Sequence, residues 1–333
     1  MAGRVSEGRQ PTPSTTIDRL VDGVYPAMAL LAAMQLDLFS AVAEGAPSSD
    51  EVARARGLDP SRTQVLLDAL VAAELLTKKS GRYNLTNEAA DHLVTSSPWS
   101  RVGGHEVLSM LWSASLATAE SVRAGGPAQP HDYAKMPASE ALDLLRGLRP
   151  DAANMATAML DDLQLERSMA IADVGGGGGG AACAFVDLVA GVTATVVELP
   201  NIAGVSRTLL AEAGRADIEV VEADCTDHIP GNYDRIWAQF VTQTMGPSEA
   251  EALVLASAKA LRPGGSIHLV SIVVDAARTS PTRAALFNIA LTNIYHGGRA
   301  HSIADYDRWL RAAGMTQISW TPVNDMIQMV SAR

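Results

Sequence analysis

Ile171-Ala172-Asp173-Val174 runs directly into six glycines, Gly175-Gly176-Gly177-Gly178-Gly179-Gly180, and the next apolar run closes on Val196-Val197-Glu198. A short apolar segment ending in Asp-Val-Gly predicts a buried parallel strand, and Ala181 to Ala190 predicts the helix that follows it. Between the two, the backbone has to turn tightly and let a ligand approach closer than a Cβ would allow. An acidic side chain at the end of the second strand can accept both hydroxyls of a ribose. A flexible linker would also contain such a glycine run. The strand before it and the acid after it favour a strand–helix–strand unit that holds a nucleoside-bearing cofactor, without yet saying which one.

The spacing Gly175-x-Gly177-x-x-Gly180 satisfies the dinucleotide fingerprint only weakly, because every position is glycine. A nicotinamide-dependent dehydrogenase is therefore a weak rival. Downstream, Ile218 to Asp224 predicts a third strand whose terminal carboxylate suits an adenine amino group. Tyr233 to Val241 predicts a fourth. Ser248 to Leu261 has helical spacing and stops at Arg262-Pro263-Gly264-Gly265, ahead of a strand from Ser266 to Val274.

These motifs resemble the S-adenosylmethionine-dependent class I methyltransferases, and within them the small-molecule O-methyltransferases with an N-terminal dimerisation domain (the caffeate and hydroxyneurosporene type). The carrying residues are Asp173-Val174-Gly175-Gly176-Gly177, Val196-Val197-Glu198-Leu199-Pro200, Glu222-Ala223-Asp224 and Leu261-Arg262-Pro263-Gly264-Gly265. Gly297-Gly298-Arg299-Ala300-His301-Ser302 follows, before a helix ending Ala312-Ala313-Gly314-Met315. The resemblance runs from about Ile17 to the C-terminus. It implies an α/β fold: a Rossmann-like class I methyltransferase domain preceded by a mostly helical, winged-helix-like dimerisation domain. The expected organisation is a disordered tail at 1–14, the dimerisation domain at 15–100, a helical substrate-pocket region at 101–165 and the cofactor-binding catalytic domain at 166–333.

The resemblance also implies site roles. Asp173, Gly175 and Gly177 would position the amino-acid end of S-adenosylmethionine, and Glu198 the ribose. Asp224 would face the adenine with Cys225 beside the ring, and Gln239 would lie near the cofactor carboxylate. S-adenosylhomocysteine would be the product. Asp224 could instead simply cap the turn at Thr226, and Gln239 could be an ordinary strand residue. Met110, Trp112, Phe287 and Ile294 lie on helices that relatives use to line the acceptor pocket, although core packing explains each of them but Trp112 about as well.

The chemistry departs from the family. Its O-methylating members carry a histidine base after the fourth strand, followed by an acid and a tryptophan; here Gln243, Thr244 and Met245 stand there. A glutamine amide does not titrate near neutral pH and is no general base. The glutamate that orients that histidine is matched by Ala300. Three readings stay open. Methyl transfer could run by proximity on a nucleophile needing little help. It could use a relocated base, with His296 first among His296, His301 and His105. Or the fold could bind the cofactor for a hydroxylation, decarboxylation or pericyclic step.

The remaining composition fits this picture. The 333-residue chain is 47% hydrophobic, enough for two domains with substantial cores, and carries a formal net charge of −11. Only four of its 26 basic residues are lysine and no basic run occurs, which argues against a nucleic-acid surface. A transcriptional regulator built on the winged unit is correspondingly disfavoured, since its second helix presents Asp68 and Glu74. Cys183 and Cys225 read as reduced thiols of a cytoplasmic protein. No spacing typical of a metal site, no secretory leader and no membrane-length apolar segment is visible. The apolar helix Ala27 to Met34 suggests the buried interface of a homodimer, and the partner expected besides is a small-molecule acceptor.

Overall fold

The computed structural model describes residues 14–333, so the tail expected at 1–14 lies, but for Ser14, outside the described residues. The chain divides into two compact units, one running up to Ser109 and the other from Met110 to Arg333. Residues 110–165 thus belong to the same unit as the sheet.

In the first unit, α1 (Thr15–Asp22), α2 (Val24–Gln35) and α3 (Leu38–Ala43) precede α4 (Ser49–Arg56) and α5 (Pro60–Ala72). A hairpin of β1 (Leu76–Lys79) and β2 (Arg82–Leu85) follows, then α6 (Asn87–His92). Helix α4 starts where Ser48 and Glu51 form a reciprocal capping box, and it ends on left-handed Gly57. Leu38, Phe39, Val52, Leu67, Leu70 and Tyr83 form the core. Ala29, Ala33 and Met34 pack into it, which corrects the expectation that the whole of Ala27 to Met34 faces a partner. The uncovered apolar surface lies earlier: Ile17, Leu20, Val21, Val24, Tyr25 and Met28 are all exposed. Asp68 is tied to the hairpin, accepting from the Tyr83 hydroxyl at 2.7 Å and pairing with Lys78.

Helix α7 (His105–Leu116) leads into the second unit. There α8 (Thr118–Ala124), α9 (Ala138–Ala158) and α10 (Leu160–Leu163) come before the sheet. The sheet is built from β3 (Ala170–Val174), α11 (Gly180–Leu188), β4 (Thr193–Glu198), α12 (Pro200–Glu212), β5 (Glu219–Glu222), β6 (Tyr233–Gln239), α13 (Pro247–Lys259) and β7 (Leu261–Val274). It is completed by α14 (Thr282–Ile294), the two-residue β8 (His301–Ser302), α15 (Ile303–Ala312), β9 (Ile318–Pro322) and β10 (Ile327–Ala332). Strand order is β5-β4-β3-β6-β7-β10-β9, with β8 beside β7. Strands β3 to β7 are parallel, while β10 runs antiparallel to both β7 and β9.

Alternation along the strands splits the core in two. Ile236 and Ala238 of β6 pack with Leu253 of α13 and with Tyr306 and Trp309 of α15, whereas Trp237 points to the opposite face with Phe185 of α11. Order reverses between β3 and β6, and that crevice at the carboxyl ends of the strands is where open α/β sheets bind ligands. Strand β5 stops two residues short of Asp224, because Asp224 turns the chain. Strand β7 begins at Leu261, earlier than the sequence suggests, because Leu261 already pairs with Tyr233 across an irregularity in register.

Candidate active site

At the switch point, β3 delivers the chain into the glycine run. Gly175 adopts φ +64 and its amide donates to the Val197 carbonyl at 2.8 Å; a Cβ there would lie 2.6 Å from Cγ2 of Val241. Gly180 opens α11 where α9 crosses, and a Cβ on it would overlap the Arg149 carbonyl. The loop therefore needs glycine for two different reasons, a left-handed turn and a helix pressed against it. Beneath the loop Asp173 is 2% exposed, its Oδ2 accepting from the Ala182 amide at 3.1 Å. Burial, with the neighbouring Glu198 charge adding to it, pushes the Asp173 carboxyl up to about 7.

Glu198, at the end of β4, reaches back to the loop. Its Oε1 accepts from the Gly177 amide at 3.0 Å and its Oε2 from the Leu199 amide at 2.8 Å. The residue keeps some solvent contact, but its carboxyl end is enclosed. Burial raises its pKa, and the two amides pull the other way. Asp224 is exposed and its Oδ1 is taken up by the amide (2.9 Å) and hydroxyl (2.7 Å) of Thr226, the turn-capping arrangement. Beside it the Cys225 thiol is pushed up to about 12 by burial and by the charges of Glu198 and Asp224. Gln239 closes β6 with Oε1 enclosed and without a hydrogen-bond partner, an acceptor waiting for a donor.

The segment after β6 turns sharply, with Phe240 at φ +57, and Thr242 to Thr244 form a 3₁₀ turn. Gln243 is buried. Its Oε1 accepts from the Ile272 amide (3.2 Å) and the Ser271 hydroxyl (3.3 Å), and its backbone carbonyl accepts from the Arg299 amide (2.9 Å). His301 is fully buried, with Nε2 facing the carbonyls of Thr242 (2.9 Å) and Met245 (3.2 Å), so the proton sits on Nε2. Burial lowers its pKa, and Tyr306 and Trp309 flank the ring. Both residues brace the turn after β6 against β7 and the 297–301 loop. The glutamine oxygen is thus taken up by β7, and His301 is anchored through Nε2 while its Nδ1 is enclosed without a partner. His296 is exposed and makes no side-chain hydrogen bond among the described residues, and His105 directs Nδ1 to the Val102 carbonyl at 2.8 Å.

Among the residues expected to line an acceptor pocket, Met110 and Trp112 are half-buried on α7. Phe287 is half-buried against the core behind α11, and Ile294 is 3% exposed at the end of α14.

Sequence reasoning missed four side chains. The Gly125 to Pro130 interruption leads into a strap over residues 129–136. Gln129 and His131 donate backbone amides to the carbonyls of Asn293 (3.2 Å) and Ile294 (2.7 Å), and Asn201 of α12 donates to the Tyr133 carbonyl at 2.6 Å. The strap is thereby pinned at the end of α14 and at the start of α12, where Asn201 stands three residues beyond Glu198. His131 lies edge-on to Tyr133 (centroids 4.8 Å) and to Tyr295 (6.1 Å), and the two tyrosines stack at 6.3 Å. Burial lifts the Tyr133 phenol well above its ordinary pKa, with Tyr295 and the Glu198 charge adding to it. The fourth, Arg149 of α9, lies against the glycine run with one guanidinium nitrogen 3.6 Å from Cys183 Sγ and its Nε enclosed without a partner. An irregular segment has no hydrophobic period, so only the pairing of histidine and tyrosine after a Gly/Pro break could have flagged the strap.

The residues present fit a ligand with a nucleoside at one end and an amino acid at the other. The glycine cradle, the enclosed Glu198 carboxylate, the unpartnered Gln239 oxygen and the Arg149 cation supply complementary groups. Residues 122–316 match the O-methyltransferase domain family and residues 18–96 the O-methyltransferase dimerisation domain. The chain is 27% identical over 320 residues to 3-hydroxy-5-methyl-1-naphthoate 3-O-methyltransferase of Streptomyces sahachiroi, covering 91% of this chain and 90% of that protein. It is 25% identical over 347 residues to L-tyrosine C(3)-methyltransferase of Streptomyces lavendulae, covering 96% and 94%. The crystal structure of human N-acetylserotonin methyltransferase in complex with SAM shares the fold at a TM-score of 0.83 and 20% identity, over 99% of each chain.

Proposed function

The chain belongs to the S-adenosylmethionine-dependent O-methyltransferase family, and on that footing we propose that it methylates a small hydroxyaromatic or polyketide-like metabolite. The observation that carries this reading is the Gly177–Glu198 hydrogen bond beside the buried Asp173, which turns a carboxylate toward the glycine turn, where it could meet a ribose. When bound, the cofactor supplies an electrophilic methyl group on a sulfonium sulfur. Glu198 would accept the ribose hydroxyls, Asp173 would stabilise the turn and the cationic end of the amino acid, and Arg149 would meet its carboxylate. Gln239 Oε1 would take an amine donor, with Cys225 and Asp224 beside the adenine. One relative acts on a hydroxynaphthoate and another on L-tyrosine, a phenol with a carboxylate on its side chain, which makes hydroxyaromatic acids the first acceptors to try.

Oxygen is the favoured acceptor atom. Positioning alone supplies up to roughly 7–11 kcal/mol for such a transfer, and Gln243 and His301 serve it by fixing the turn after β6. The exposed apolar face of α1 and α2 supports a homodimer, and the two free cysteines suit a cytoplasmic enzyme. No helix among the described residues is long and apolar enough to cross a membrane. The test is mass spectrometry of reactions containing SAM and a panel of hydroxyaromatic acids. A product heavier by one methylene with matching S-adenosylhomocysteine supports the reading. Binding of SAM with no methyl transfer to any of them favours the non-methylating alternative.

A further inference from the structure

With Gln243 in the position of the family's histidine, the proton of a hydroxyl acceptor has to go elsewhere, and the seven histidines of the chain can be taken in turn. His92 and His105 each direct Nδ1 to a backbone carbonyl of the first unit. His228 is exposed beside Asp227. His268 is held between the hydroxyls of Ser266 and Ser331, at 2.8 Å each, far down β7. His296 is exposed, and His301 gives its Nε2 proton to two carbonyls. His131 and His301 each enclose a ring nitrogen without a hydrogen-bond partner, Nε2 in one and Nδ1 in the other, but the His301 ring is fully buried and anchored through its other nitrogen, whereas His131 keeps some exposure.

We propose that His131 Nε2 receives the hydroxyl proton of the acceptor, within a box walled by Tyr133 and Tyr295. The inference rests on the proposed function and relocates its base to the strap. Three observations carry it. The imidazole nitrogen is an orphan inside the protein, a state that normally calls for a ligand. Two stacked phenol rings stand edge-on to it, so aromatic surface borders the imidazole. The strap is pinned next to the cofactor end of the sheet, because Asn201 holds Tyr133 and Tyr133 lies within the field of Glu198.

The ring is neutral and ready to accept a proton at pH 7. Burial lowers its pKa, and the Glu140 carboxylate on α9 offsets part of that. The other titratable groups around it are Asp132 beside it on the strap, paired with Lys135, then Tyr133, Tyr295 and the exposed His296 near Asp132. In the step itself the acceptor O–H proton passes to Nε2 while oxygen forms a bond to the methyl carbon. The carbon–sulfur bond breaks with its electron pair going to sulfur, giving the methyl ether and S-adenosylhomocysteine. The imidazolium then returns its proton to solvent.

The test compares wild type with His131→Gln, using 3-hydroxy-1-naphthoate and a ring-nitrated analogue of lower hydroxyl pKa as probe acceptors. For the unsubstituted probe kcat should fall by about 10²–10⁴, with S-adenosylhomocysteine affinity by calorimetry unchanged. The nitrated probe should lose much less, and the variant's rate should climb with pH as solvent supplies the oxyanion. Independently of turnover, the His131 ring signals in NMR should titrate below the ordinary histidine range and shift when probe is added with S-adenosylhomocysteine. Equal losses on both probes, a parallel loss of S-adenosylhomocysteine affinity, or an unmoved ring signal overturns the proposal. A wild type that methylates neither probe nor any other hydroxyaromatic defeats the proposed function and this inference together. An active wild type alongside an equally active His131→Gln defeats only this inference.

Discussion

The Gly177 amide donates to Glu198 Oε1 at 3.0 Å, so the turn after β3 and the end of β4 are joined through the side chain expected to hold the ribose. The bond orients the carboxylate before any ligand arrives, which reduces the ordering cost of binding. Glu198→Ala removes both the acceptor and this brace. Loss of hydrogen bonds to a charged group costs about 1.5–3 kcal/mol, so SAM affinity should fall roughly ten- to hundredfold by calorimetry. Unchanged affinity would place the ribose elsewhere.

Asp173 links cofactor binding to pH. Its folded-state pKa of about 7 lies above the ordinary carboxylate range, so the folded chain holds a proton that the unfolded chain has released. The resulting cost to stability is absent below the unfolded pKa and grows as pH rises from about 4 to 7. Without ligand, thermal stability should therefore have an adverse contribution over that range that Asp173→Asn removes. A cationic amino-acid end would pull the carboxyl back to its ionised form. Titration with SAM at pH 6.5 in two buffers of different ionisation enthalpy should thus report proton release, which Asp173→Asn diminishes. Identical apparent enthalpies in the two buffers would contradict this.

Gly180 and Gly204 make a matched pair. A Cβ on Gly180 collides with backbone of α9, whereas Gly204, inside α12, has nothing within 4 Å. Gly180→Ala should destabilise by about 1–3 kcal/mol through overpacking and weaken SAM binding by displacing α9. Gly204→Ala should stabilise by about 0.5–1 kcal/mol. Denaturant midpoints decide both, and equal effects at the two sites would refute the close approach of α9.

The exposed apolar face of Ile17, Leu20, Val21, Tyr25 and Met28 bears on assembly. Light scattering should give twice the mass of the chain, and Leu20→Glu with Tyr25→Glu should shift it toward one chain while the 38–89 core stays folded. A wild-type monomer would remove the homodimer from the account.

The sequence displays the strand–turn–strand core because its signals are local: an apolar run, glycines, and an acid one strand later. The same locality hides the bracing partners of Gln243 and His301. Each is near the expected pocket in sequence, yet its partners, Ile272 for one and Thr242 and Met245 for the other, arrive from distant strands and turns. Asp224 had two readings, and its bonds to Thr226 realise the local one while leaving Oδ2 for a ligand. The strap was illegible because His131, Tyr133 and Tyr295 converge only once α14 and α12 hold the chain between them. Helix boundaries moved by one or two residues at α11 and α13, where caps rather than periodicity set the end.

The most direct measurement is calorimetric titration of the purified chain with SAM and with S-adenosylhomocysteine, wild type beside Glu198→Ala. The account predicts that both ligands bind the wild type at one site per chain and bind the variant much more weakly. Binding of neither ligand to the wild type would contradict it, because the glycine turn and Glu198 would then form a cradle without its cofactor.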